Sequence, residues 1–325
     1  MKIMNILKSP HIRMENPEVV WKKIQKMHED GADKLMFISD FDCTLSKYKD
    51  SEGNRCNTTH AVIEGAMSVR HPELADKAAE MDKKYVQFEY CPIMTVEEKI
   101  PYMVEWWENS HNFAVQAKLT RQEVAEYVAK SRVYLRDLAK IYLKKIEENG
   151  LPHIVFSAGV GDIIENVFKN QVGYIPKGLH IISNMMVYDE NNTCNGFTEP
   201  LIHTFNKNST VLNNDMLFYE EIKGRKNVFL LGDSLGDSHM DLGVKDEGVA
   251  LKIGFLNFNF DTLMDKYMEH YDIVILDDQT MAIPLEILDY ILEKSSFENS
   301  VEDFKLSAIG KVEHGQNLIE AKASH

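Results

Sequence analysis

Six short apolar runs rich in β-branched residues constrain this chain more than any other feature: Leu35–Ser39, His153–Ser157, Leu179–Ser183, Val228–Gly232, Val249–Ile253 and Ile273–Leu276. A strand apolar on both faces must be covered on both, so these runs predict buried parallel strands. Helical stretches over 161–170, 214–222, 260–271 and 283–292 separate the later runs, the alternation of βαβ units. The expected fold is α/β, with a doubly wound, Rossmann-like parallel-sheet core.

Between the first run and His153 there is no strand signature, but there is helical punctuation. Thr95-Val-Glu-Glu98 and Thr120-Arg-Gln-Glu123 each fit a capping box, in which hydroxyl and carboxylate satisfy orphan N–H groups at a helix start. After the second box Val124, Tyr127, Val128, Tyr134, Leu135, Leu138, Ile141 and Tyr142 recur at helical spacing, until Gly150 and Pro152 stop the run. The pattern predicts a core over 1–48 and 151–295 and an inserted helical cap over 49–150. A polar tail over 296–325 is expected to be partly disordered.

Several function classes are disfavoured by composition. The 325 residues carry a formal net charge of −15, which argues against a nucleic-acid polymer or an anionic membrane as partner. One pocket can still invert the local potential for a small anion. Hydrophobic residues make up 44%, which places the chain with folding proteins. Cys43, Cys56, Cys91 and Cys194 form no CxxC pair, so neither a zinc site nor a disulfide scaffold is indicated. The first residues are too weakly apolar for a signal peptide, and no run reaches the roughly 18 apolar residues of a membrane span. The expectation is a cytoplasmic monomer acting on a small molecule.

The first run ends in Asp40-Phe41-Asp42. In an extended chain residues two apart share a face, so both carboxylates point into the crevice at the carboxyl ends of the strands, where such sheets bind ligands. A lone DxD is as readily a polar strand end. A second apolar run ends in Gly232-Asp233-Ser-Leu-Gly236-Asp237, with the glycines read as permitting a tight turn. Paired acids of this kind suit a magnesium ion, which takes oxygen ligands. Ser157-Ala158-Gly-Val-Gly161, between a strand and a helix, forms an anion cradle from a hydroxyl and free N–H groups. Lys207 alone would be an ordinary solvated charge.

Asp-x-Asp, Ser, Lys and GDSxxD, in that order and at strand ends, resemble the haloacid dehalogenase superfamily of phosphohydrolases. The resemblance implies Asp40 as nucleophile and metal ligand, and Asp42 as general acid and base whose backbone carbonyl also meets the metal. It implies Ser157, Ala158 and Lys207 as phosphate ligands, Asp233 as the further carboxylate on Mg2+, and Asp237 as support for Lys207. The cap's position fits too. Phe37-Ile-Ser-Asp-Phe-Asp-Cys-Thr-Leu-Ser46, Met103-Val-Glu-Trp-Trp107 and Leu201-Ile-His-Thr-Phe-Asn-Lys207 are similar to the cytosolic 5′-nucleotidase III family, a likeness running from about Pro17 to Leu292.

That family has a branch acting on pyrimidine monophosphates and one preferring 7-methylguanosine monophosphate. The resemblance builds the base pocket from Glu89, Trp107 and Ser110. Trp107 matches the methylguanosine branch, and an indole is the best ring for a cationic base. Ser110 matches the pyrimidine branch. One of Trp106 and Trp107 is expected in a helix–helix seam, because neighbours point about 100° apart on a helix. The expected activity is Mg2+-dependent hydrolysis of nucleoside monophosphates through an aspartyl-phosphate, with 7-methylguanosine monophosphate preferred and CMP and UMP also cleaved. The alternatives are a pyrimidine-specific enzyme with phosphotransferase activity and a catalytically silent nucleotide-binding protein.

Overall fold

The computed structural model describes residues 2–91, 93–208, 220–242 and 248–293. All six apolar runs are strands, several longer than their apolar stretch. Numbered in chain order, β1 is Ile12–Arg13, β2 Leu35–Ser39, β3 His153–Val160, β4 Leu179–Asn184, β5 Met186–Tyr188, β6 Cys194–Phe197, β7 Asn227–Gly232, β8 Ala250–Leu256 and β9 Ile273–Leu276. Seven of them form one sheet in the order β1-β9-β8-β7-β2-β3-β4. Every pairing in it is parallel except that of β1 with β9.

Burial follows from this order. Every residue of β2 and β7 is buried, because each strand has a parallel neighbour on both sides and cover on both faces. Strand order changes direction between β2 and β7: β3 and β4 lie to one side, β8 and β9 to the other. At such a switch point the chain leaves the two strands in opposite directions, and a crevice opens at their carboxyl ends. Asp40 follows β2 there and Asp233 follows β7.

The helices are α1 Lys2–Ile6, α2 Pro17–Asp30, α3 Thr59–Ser68, α4 Pro72–Glu89, α5 Val96–Gln116, α6 Arg121–Lys130, α7 Ala139–Glu148 and α8 Gly161–Gln171, followed by Phe260–His270 and Ala282–Leu292. Both capping boxes form, at the starts of α5 and α6. Among the described residues no helix is long and apolar enough to cross a membrane.

One expectation is corrected, and two elements had not been foreseen. The apolar run after Thr120 is not one helix. It breaks at Ser131, and Val133 and Leu135 are buried while Arg132 and Tyr134 are exposed, the period-two pattern of an extended chain. Leu135 bridges Ser46 there, and Leu138 and Ile141, expected on the apolar face, are exposed. Helix α7 lies on the sheet, with Tyr142 edge-on to Phe37 at 6.1 Å. The hairpin β5–β6 had no clear sequence signature and packs against α5, Phe197 stacking on His111 at 3.8 Å. Strand β1, two residues long, was also unforeseen. Of the helix expected over 214–222 only the last turn is described, and the expected tail over 296–325 lies outside the described residues.

Candidate active site

Asp40 is the first residue beyond β2 and is buried. The next five residues, Phe41–Leu45, turn sharply, with Cys43 in the left-handed region at φ 61°. Asp40 and Asp42 therefore share one cavity through a turn, not through strand alternation. The turn is braced from behind by Arg136, which is 2% exposed. Its guanidinium donates to the carbonyls of Thr44 at 2.6 Å, Cys43 at 2.5 Å and Asp278, and to Asn257 Oδ1 at 3.0 Å.

Lys207 Nζ stands between two acids, 2.6 Å from Asp40 Oδ1 and 2.7 Å from Asp237 Oδ1. The other oxygen of Asp237 accepts the N–H groups of Asp233 at 3.1 Å and Ser234 at 2.9 Å. That hydrogen-bonded loop explains the glycines. Neither Gly232 nor Gly236 has a positive φ; a Cβ on Gly232 would fall 2.4 Å from Asp237 Cβ, and one on Gly236 would fall 2.3 Å from Thr204 O. They are required by close approach and not by turn conformation.

The Asp42 carboxylate is held by Thr59 at the start of α3, accepting its N–H at 2.9 Å and its hydroxyl at 2.6 Å. Ser157 Oγ accepts the Gly159 N–H at 3.0 Å. Glu89 closes α4 and accepts the Thr204 hydroxyl at 2.9 Å. Trp107 donates its indole N–H to the Ala158 carbonyl at 2.6 Å, and Ser110 lies one turn further along α5. Trp106 is half-buried and stacks on Tyr85 at 6.0 Å. Trp106 is the one of the pair in a helix–helix seam, between α5 and α4, while Trp107 reaches down to β3. Asp40, Asp42, Glu89, Trp107, Ser110, Ser157, Ala158, Lys207, Asp233 and Asp237 all line one cavity of about 600 Å³.

Reasoning from motifs missed Thr59, His60, Asp82, Tyr90 and Thr204, which contribute singly to the same walls or to the carboxylates in them. Only Thr59 left a trace, as a hydroxyl following the N-cap Thr58.

The electrostatics of the crevice are those of crowded buried acids. Burial pushes Asp40 up to about 7, Lys207 opposing and Asp237 adding. Burial, with Asp40 and Asp237, holds Asp233 well above the usual carboxylate range. Burial also raises Asp42, against the two Thr59 hydrogen bonds. Lys207 is raised: burial works against its charge, but the two aspartates outweigh it. Oxygens of Asp40, Asp233 and Asp237 lie within 4.8 Å of one another. Both Asp237 oxygens are already committed and Asp40 Oδ1 is held by Lys207, which leaves the second oxygen of Asp40 and the Asp233 carboxylate to take a hard divalent cation. Buried carboxylates here outnumber the one lysine beside them, so an oxygen-seeking Mg2+ fits the donor set.

A family model described as pyrimidine 5′-nucleotidase (UMPH-1) matches residues 43–292. A Caenorhabditis elegans protein carrying a cytosolic 5′-nucleotidase 3 name is 40% identical over 292 residues, 89% of this chain and 78% of that one. The Homo sapiens 7-methylguanosine phosphate-specific 5′-nucleotidase is 36% identical over 281 residues, covering 86% and 92%. The crystal structure of cytosolic 5′-nucleotidase IIIB bound to cytidine superposes with a TM-score of 0.81 at 31% identity, covering 89% of this chain and 97% of that one. A haloacid dehalogenase family hydrolase from Salmonella enterica shares the fold at a TM-score of 0.51 and 14% identity, covering 86% and 81%. With that fold and this span of likeness, the chain belongs to the pyrimidine 5′-nucleotidase (UMPH-1) family of haloacid dehalogenase-fold enzymes.

Proposed function

We propose that this enzyme hydrolyses nucleoside 5′-monophosphates through an aspartyl-phosphate on Asp40, with 7-methylguanosine 5′-monophosphate preferred and CMP and UMP also cleaved. The observation that carries the reading is one cavity of about 600 Å³ whose lining brings Asp40, Lys207 and Asp233 together with Trp107 and Glu89. The helical segment over 49–150 acts as the cap that supplies the base end. The substrate is a small molecule, neither nucleic-acid polymer nor membrane is a partner, and the enzyme works as a cytoplasmic monomer.

Asp40 and Asp233, with the carbonyl of Asp42, would hold Mg2+, which would supply positive charge to the phosphoryl oxygens. An Asp40 oxygen attacks phosphorus in line, and the bond to the 5′ oxygen breaks. Asp42 gives its proton to that oxygen as the nucleoside leaves. A water molecule then passes a proton to Asp42 and attacks the aspartyl-phosphate, releasing phosphate and regenerating the Asp40 carboxylate. Lys207 aligns Asp40 and shares the charge of the transferring group, with Ser157 and the Ala158 N–H on the remaining oxygens. Asp237 anchors Lys207 from the opposite side.

The cytidine in the solved relative favours a second reading, a pyrimidine-specific enzyme able to pass the phosphoryl group to another nucleoside. Steady-state kinetics on 7-methylguanosine monophosphate, CMP and UMP decide between them: a kcat/KM for UMP tenfold above the methylated substrate overturns the proposed preference. Asp40→Asn should abolish phosphate release. Turnover that survives it removes the covalent mechanism, and a wild type inert toward every monophosphate with Mg2+ present would leave only a silent nucleotide binder.

A further inference from the structure

Glu89 is not the only carboxyl group at the base end of the cavity. Asp82 lies two turns earlier on the same face of α4 and lines the same space. Its Oδ1 accepts the indole N–H of Trp106 at 2.7 Å. Glu64, from α3, hydrogen-bonds to it from behind. Burial first, and the charge of Asp82 next, push Glu64 up to about 8, so at neutral pH Glu64 holds the proton and donates it to Asp82. Among the described residues no lysine or arginine forms an ion pair with Asp82, Glu64 or Glu89, whereas at the phosphate end Lys207 contacts two acids. Trp106 and Trp107 meet edge to face, centroids 5.0 Å apart, beside this acidic end.

We propose that Asp82, fixed by Trp106 and backed by Glu64, is a specificity-determining residue that selects nucleotides whose base carries a positive charge. The inference rests on the nucleotidase reading and deepens it. A neutral base laid against the indoles gains only stacking. A cationic one gains ring-face attraction and relieves a carboxylate that has two donors but no counter-ion.

Asp82→Asn separates charge from placement, because its amide oxygen still accepts the Trp106 N–H. The experiment compares wild type and D82N, both checked for unchanged thermal unfolding, on 7-methylguanosine monophosphate, GMP and CMP with Mg2+. The expected result is a fall in kcat/KM of about tenfold for the methylated nucleotide and less than about twofold for GMP and CMP. An equal fall on all three substrates would make Asp82 a support for Trp106 and nothing more, and no change on any would exclude it; either outcome overturns the proposal. Tryptophan quenching by 7-methylguanosine and by guanosine gives a readout without turnover. If wild type is inert yet D82N weakens only the cationic nucleoside, the nucleotidase reading fails while the charge selection stands. If both nucleosides bind both proteins alike, the charge selection is wrong.

Discussion

Removing the guanidinium behind the Phe41–Leu45 turn tests how that turn is held. Arg136→Met keeps an apolar stem of similar length over Phe255, on which the guanidinium now sits 3.9 Å from the ring centroid. It strips the Arg136 donor from three buried acceptors, the carbonyls of Thr44 and Cys43 and the side-chain oxygen of Asn257, and from the half-buried carbonyl of Asp278. Cys43 keeps one donor, the Asn257 amide at 3.1 Å, so three acceptors lose theirs. A buried acceptor left without a donor costs about 1–3 kcal/mol, and relief from burying the charge offsets part of the sum, leaving a net loss of roughly 3 kcal/mol. With a urea m-value near 3 kcal/mol/M, the midpoint should drop by about 1 M at unchanged m. Arg136→Lys, with a single point charge in place of the planar fork, should recover less than half. Because the turn also places Asp42, kcat should fall while KM for the nucleotide stays near wild type. A Met variant that unfolds within about 0.5 kcal/mol of wild type and keeps its kcat would refute the bracing role.

Three further outcomes follow from the same geometry. His153 is fully buried, its ring paired with Ser39 at 2.8 Å, and burial depresses it to about 3; the unfolded chain therefore binds the extra proton below about pH 6.5, stability is lost as pH falls toward 3, and His153→Gln should flatten the slope by about 1.4 kcal/mol per pH unit, read by urea titration across that window. Thr59→Val deletes the shorter of the two hydrogen bonds on Asp42 and should cut kcat about tenfold with restoration by Thr59→Ser, whereas equal loss in Val and Ser would mean that only packing was disturbed. Mg2+ should raise the melting temperature of wild type in proportion to the logarithm of its concentration, and Asp233→Asn should remove most of that shift; a shift that survives places the ion elsewhere.

The sheet could be read from sequence because fully buried strands are written as unbroken apolar runs, and Leu35–Ser39 and Ile273–Leu276 end where their apolar residues end. The segment after Thr120 misled because Tyr134, Leu135 and Leu138 satisfy a helical spacing by coincidence, and α7 begins without a side-chain cap that would have marked it. The candidate catalytic residues were legible because they cluster in four short motifs whose order carries information. Thr59, Asp82 and Arg136 were not, since each arrives alone from a helix start, a helix face or an extended link, and only three-dimensional proximity makes them part of the site.

One hydrogen bond has a consequence for how the cavity walls move. Trp107 is tied to the carbonyl of Ala158 at 2.6 Å, so α5 and the end of β3 are fastened to each other. On the proposed reading, the wall offered to the base cannot shift without carrying the phosphate cradle with it.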